Sequence, residues 1–130
     1  MDSGKVVVTH SEHKRNTMLE FQKLFPNARI WNNETGVARS MDGARIVKYG
    51  FVGSADLTGI MPDGIRIEIE IKVKKDRQRE SQAIFEKVIR QCNGIYFIVD
   101  DKSEIKEQLC KNLKRYLEPL PQSILIVENQ

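Results

Sequence analysis

Asp56-Leu57-Thr58-Gly59-Ile60-Met61, then Pro62-Asp63-Gly64, then Ile65-Arg66-Ile67-Glu68-Ile69-Glu70-Ile71-Lys72-Val73-Lys74 form one continuous run, and its alternation decides the architecture around it. Ile65, Ile67, Ile69, Ile71 and Val73 alternate with Arg66, Glu68, Glu70, Lys72 and Lys74. Successive strand side chains point to opposite faces. One face is therefore wholly aliphatic and packs on a helix layer. The other carries a row of charge, with Glu70 and Lys72 on the same side and roughly 7 Å apart along the strand. Pro62-Asp63-Gly64 is a hairpin signal. If these three residues make the loop, Met61 pairs with Ile65 and Asp56 falls opposite Glu70. A two-residue loop puts Asp56 opposite Ile71 instead.

Side chains directly opposed across an antiparallel pair have Cβ atoms about 5 Å apart, and like charges there destabilise the sheet. A divalent cation between Asp56 and Glu70 offsets that repulsion. Mg²⁺ takes oxygen ligands, keeps several waters, and uses one or two carboxylates plus substrate phosphate. The acid pair meets that description, and the backbone carbonyl of Ile71 is a further candidate ligand. Such an ion polarises a scissile phosphate and lowers the pKa of a bound water. Lys72 beside it suits holding or activating the attacking water, or neutralising transition-state charge. The chemistry indicated is hydrolysis of a phosphodiester. The bland alternative is a solvent-facing Glu-Lys ladder. The hairpin, with Gly53-Ser54-Ala55-Asp56 ahead of it, favours the site.

Around the hairpin the chain reads coarsely as α-β-β-β-β-α-β-α-β, a mixed sheet with helices packed on it. A helix is expected from about His10 to Leu24, with Thr9 and Glu12 at capping-box spacing. Met18, Leu19, Phe21 and Phe25 supply its apolar residues. Ala28 to Trp31 reads as a short strand. Val37 to Ser40 turns at Met41-Asp42-Gly43 into Arg45 to Tyr49. After the hairpin come a helix from Arg79 to Gln91 stopped by Asn93-Gly94, and a buried strand from Ile95 to Val99. A helix beginning at Ser103 ends before Pro119, and Ser123 to Val127 is expected as a final edge strand.

A length of 130 residues fits a single domain, 1–130, large enough for a core without staples. No apolar run approaches the ~20 residues of a membrane span. The stretch after Met1 is too short for a secretory signal, so a cytoplasmic location is expected. Cys92 and Cys110 have no ligand-like neighbours and read as reduced, mostly buried thiols. A net charge of +3 does not by itself indicate nucleic acid. The clustering of Lys72, Lys74, Lys75, Arg77 and Arg79 beside the acids says more: it reads as a phosphate-binding patch or as a solvated loop.

Gly50-Phe51-Val52-Gly53-Ser54-Ala55-Asp56-Leu57-Thr58-Gly59, Glu68-Ile69-Glu70-Ile71-Lys72 and Ser81-Gln82 follow one another in order. Trp31-Asn32-Asn33 with Gly36 precedes them, and Asn93-Gly94 comes after. In this ordered set the chain resembles the VRR-NUC branch of the PD-(D/E)XK nuclease superfamily, from about Ser11 to Asp101. The resemblance implies an α/β, restriction-endonuclease-like α-β-β-β-α-β core. It also implies Mg²⁺- or Mn²⁺-dependent hydrolysis of DNA. By that likeness Asp56 and Glu70 are the metal-binding acids, Lys72 is the catalytic lysine, and Gln82 is the polar residue opening the next helix. Glu12 matches an acid on the first helix that completes the metal site; it serves equally as part of the cap with Thr9, and Glu20 is a weaker candidate. Gln82 reads equally as a surface helix residue. Lys74, Lys75, Arg77, Arg79 and Asn33 are the expected DNA contacts. Ala55 stands where the fuller pattern has a proline that does no chemistry. Stand-alone members of the branch are typical of bacteriophages and resemble Holliday-junction resolvases. A homodimer acting on branched DNA is therefore implied, in the host cytoplasm if the chain is phage-encoded. The last helix and the tail are candidates for the dimer contact or for completing the core.

Other constellations are weaker. His10 and His13 have a spacing seen in metal sites, but no cysteine or third histidine supports them. There is no nucleophile elbow and no phosphate-binding glycine loop. Trp31 reads as core or half-core, or as a stacking platform for a base. Two function classes stand: a metal-dependent DNA endonuclease, including a restriction-type duplex cutter, and a non-catalytic DNA-binding or assembly module on the same scaffold. Intact Asp56, Glu70 and Lys72 favour the first.

Overall fold

The computed structural model describes residues 7–33, 36–49 and 51–117, with backbone alone at 36–38 and 47–49. The strand expected at Ser123 to Val127 lies outside the described residues. In chain order the elements are α1 (His10–Leu24), β1 (Arg29–Asn32), β2 (Gly36–Arg39), β3 (Ile46–Tyr49), β4 (Leu57–Ile60), β5 (Arg66–Ile71), α2 (Glu80–Gln91), β6 (Ile95–Val99) and α3 (Ile105–Asn112). A 3₁₀ turn, Lys114–Tyr116, follows. Thr9 caps α1 by accepting the Glu12 N–H at 3.1 Å.

Four strands form a mixed sheet in the order β1-β4-β5-β6. β1 and β5 flank β4 antiparallel, and β6 runs parallel to β5. The parallel step requires a crossover, which α2 supplies. β2 and β3 form a two-stranded sheet of their own. Five strands, not four, therefore precede α2, because the turn after Ser40 folds that segment back on itself as a complete hairpin.

The aliphatic face of β5 lies where the alternation puts it. Ile67, Ile69, Ile71 and Val73 join Leu57, Met61, Phe97 and Val99 from the sheet, Phe21 and Phe25 from α1 and its end, and Leu109 and Leu113 at α3. Each such side chain contributes about 1.5–3 kcal/mol on burial. The opposite face is covered in part by α2, through a smaller cluster of Ala55, Phe85, Ile89 and Tyr96. Gln82 of α2 bonds the buried Glu70 and Lys72, and Glu68 is buried against Thr58 and Arg66, so the middle of the charged row is not a solvated ladder.

Three local expectations are corrected. Leu19 is exposed, and α1 buries His13, Thr17 and Phe21 instead, because the α1 face toward the sheet is set by Phe21 and accommodates satisfied polar groups. The last helix stops at Asn112 and tightens into the 3₁₀ turn, which lets Arg115 and Tyr116 bond Asp63 in the β4–β5 loop. Cys92 is exposed and Cys110 half-buried, since both sit on helix surfaces away from the core; both are free thiols.

Candidate active site

Register builds the site. Leu57 pairs with Ile69, Thr58 with Glu68, Gly59 with Ile67 and Ile60 with Arg66. The Met61 N–H donates to the Ile65 carbonyl at 2.9 Å, closing Pro62-Asp63-Gly64 as a three-residue loop. Gly64 takes φ +88, which an L side chain rarely adopts. One step back along the same register, Asp56 stands opposite Glu70.

Asp56 is fixed from below. Its Oδ2 accepts the Ile71 N–H at 2.8 Å. The N–H and C=O of a strand residue face the same neighbour, so the Ile71 carbonyl also lies on the Asp56 side of β5. The Asn33 N–H donates to the Asp56 carbonyl at 2.8 Å, and the Asn33 side-chain amide donates to Ser54 Oγ and to the Ala55 carbonyl, each at 3.0 Å. Asn33 thus holds the lead-in to β4, and its amide nitrogen is occupied within the protein.

Glu70 is only 3% exposed. Its Oε1 accepts from Gln82 Nε2 at 3.0 Å, while Oε2 is buried with no hydrogen-bond partner. Burial, the hydrogen-bonding contact with Asp56 and the charge of Asp56 push the Glu70 carboxyl up to about 9, with Lys72 and Arg79 pulling only partly against them. At neutral pH and without metal, Glu70 therefore keeps its proton. The repulsion between the two acids is relieved by protonation, so a proton serves where the opposed acids pointed to a cation. A cation there displaces that proton.

Lys72 is buried, and its Nζ donates to Gln82 Oε1 at 2.9 Å. The same oxygen accepts the Arg79 N–H at 2.8 Å. Gln82 is thus no surface residue. One amide, on the first turn of α2, links the lysine to Glu70. The docking of that turn depends on Gly53 (φ +82), where a Cβ would stand 2.3 Å from the Ser81 carbonyl oxygen.

Not every expected residue arrives. Glu12 is exposed, and its one recorded bond is the backbone cap to Thr9. Glu20 lines a cleft with Asn16, Lys23 and Glu104. The α1 residue that reaches the pair is His10, whose Nε2 lies 3.3 Å from Asp56 Oδ2. Only its position on the first turn of α1 hinted at this. His13 is a buried structural residue, with Nε2 2.7 Å from the Asp100 carbonyl. Lys74, Lys75, Arg77 and Arg79 are all exposed. Lys74 and Lys75 line a cleft of about 470 Å³ together with His10, so the basic loop borders the site.

Among the described residues, no three His, Cys, Asp or Glu side chains form a ready metal-holding group. The protein donors are two carboxylates, one with a bare buried oxygen. That set fits a hard divalent ion whose remaining positions go to water, the Ile71 carbonyl and substrate. No helix among the described residues is long and apolar enough to cross a membrane. No family model matches the chain, and no curated protein matches it either.

Proposed function

We propose that this chain is a divalent-metal-dependent DNA endonuclease with the VRR-NUC-like core its sequence resembles. The observation that carries the reading is the buried Glu70 carboxyl, its Oε2 bare, in contact with Asp56 and tied to the Lys72 ammonium through Gln82. Asp56, Glu70 and the Ile71 carbonyl would hold Mg²⁺ or Mn²⁺. When bound, the ion supplies Lewis-acid stabilisation of the phosphoryl charge. Lys72 places a cation beside the scissile phosphate in a site shielded from bulk water, where a preorganised charge acts most strongly. Gln82 keeps Lys72 and Glu70 in fixed relation. Arg79 and the loop of Lys74, Lys75 and Arg77 bind flanking phosphates. A homodimer supplies two such sites for a two-fold junction.

The test is cleavage of a four-way junction, a flap and a linear duplex in Mg²⁺, Mn²⁺ and EDTA. Cutting that requires metal and is abolished by Lys72→Ala, with circular dichroism unchanged, supports the proposal. Tight DNA binding with no cutting of any substrate assigns the chain to a binding module.

A further inference from the structure

The sheet face that carries the acids is only half covered. α2 lies over its β5–β6 side, whereas toward β1 the surface opens. Trp31 is 49% exposed and Ile60 45%. Trp31, Asn33, Thr58, Gly59, Ile60 and Arg66 line a cleft of about 410 Å³ there. Trp31 and Thr58 are register partners, two residues along from Asn33 and Asp56. The cleft thus begins about 7 Å from the acid pair, two strand rises away.

Beneath it lies Glu68, with none of its surface exposed. Its Oε1 accepts from Thr58 Oγ1 at 2.7 Å and from Arg66 Nε at 2.5 Å. The buried carboxylate therefore anchors the guanidinium by its inner nitrogen. Among the described residues, neither terminal nitrogen of Arg66 has a hydrogen-bond partner. A planar fork held this way matches phosphate oxygens, and an exposed indole stacks on any base.

We propose that this cleft seats one unpaired nucleotide next to the scissile phosphate, its base on Trp31 and a phosphate on Arg66. The placement beside the scissile bond rests on the nuclease reading above; the binding itself does not. The charge favours a nucleic-acid strand as the occupant, because the anchored guanidinium lies toward one end of β5, Lys74 and Lys75 lie beyond its other end, and the acid pair stands between them. A base stacked inside a duplex cannot lie on Trp31. The substrate class is therefore DNA with an unpaired residue at the cut: a flap, a splayed end or a junction.

Trp31 is the only tryptophan in the chain, so its fluorescence reports on this cleft alone. The full chain in EDTA is titrated with an oligothymidylate, an abasic strand of equal length and a blunt duplex, with anisotropy of labelled strands reading total binding. Oligothymidylate is expected to quench Trp31 emission, whereas the abasic strand and the duplex leave it unchanged. Trp31→Ala should weaken oligothymidylate binding about 5- to 100-fold, and Trp31→Phe should restore most of it. Arg66→Ala should lower the salt slope by about one. Oligothymidylate binding without quenching, equal quenching by blunt duplex, full affinity in Trp31→Ala, or no strand bound at all overturns the proposal. Failure of the nuclease reading looks different: wild type cuts nothing while quenching persists.

Discussion

Asp56 stands opposite Glu70 across the β4–β5 pair, and Glu70 meets it with one oxygen bonded to Gln82 and the other buried and bare. Two carboxylates in that relation share their charge poorly. Either a proton or a cation must sit between them, and which one does depends on pH and metal.

The Glu70 carboxyl is raised from 4.5 to about 9 by burial and by Asp56. The folded, metal-free protein therefore keeps a proton that the unfolded chain releases above its ordinary value. The stabilisation from Glu70 is complete below about pH 4.5 and is lost as pH rises toward 9, by up to about 1.4 kcal/mol per pH unit. Urea denaturation in EDTA at pH 6, 7 and 8 should show falling stability. Glu70→Gln should flatten that trend, and Mg²⁺ should stabilise wild type more at pH 8 than at pH 6. A Glu70→Gln profile parallel to wild type would remove Glu70 as the cause.

His10 contacts Asp56, and Glu12 does not. His10→Ala should weaken Mn²⁺ binding about 10-fold or more, as loss of a group supporting a metal ligand does. Glu12→Ala should leave Mn²⁺ binding unchanged. Calorimetric titration of both variants decides the matter; equal losses would restore Glu12 to the site.

Gln82→Ala removes the bridge between Lys72 and Glu70 and strips the Arg79 N–H of its partner. Leaving buried polar groups unpaired costs about 1–3 kcal/mol. Chemical denaturation should show that loss, and cleavage should fall at saturating DNA with little change in DNA affinity. Wild-type stability in this variant would mean that water or another side chain replaces the amide.

Gly53→Ala places a methyl group against the Ser81 backbone at a positive φ. Backbone atoms cannot yield as a flexible side chain does, so the first turn of α2 must shift. The variant should lose about 1–3 kcal/mol and most activity, while Gly43→Ala, which shares the positive φ (+71) but has nothing near its Cβ position, should keep activity and isolate the clash from the backbone strain. Thermal melts and cleavage rates of the pair test this.

Much of the fold was legible because its signals are local. Alternation in β5 named the core face and Pro62-Asp63-Gly64 marked a tight hairpin, while the Met61–Ile65 bond of the structure chose the three-residue loop, and with it the register that faces Asp56 with Glu70, over the two-residue alternative. The start of α1 and the end of α2 were found by Thr9 and by Asn93-Gly94, where Asn93 takes φ 65. The reading failed where a residue's surroundings come from far along the chain. His10 reaches Asp56 across a separation that no spacing rule spans. Asn33 anchors the β4 lead-in with the amide that was expected on DNA.

The sequence alone determined which side chains share a strand face, because the pleat acts over a few residues. Only the tertiary structure decided that the loop sets Asp56 against Glu70, that Glu68, Glu70 and Lys72 are buried, that Gln82 couples Lys72 to Glu70, and that Glu70 holds a proton near neutrality. Burial and proton affinity depend on what packs against a group from outside its own strand. Here that is α2 and α1, which the chain order brings to the site but the local pattern does not encode.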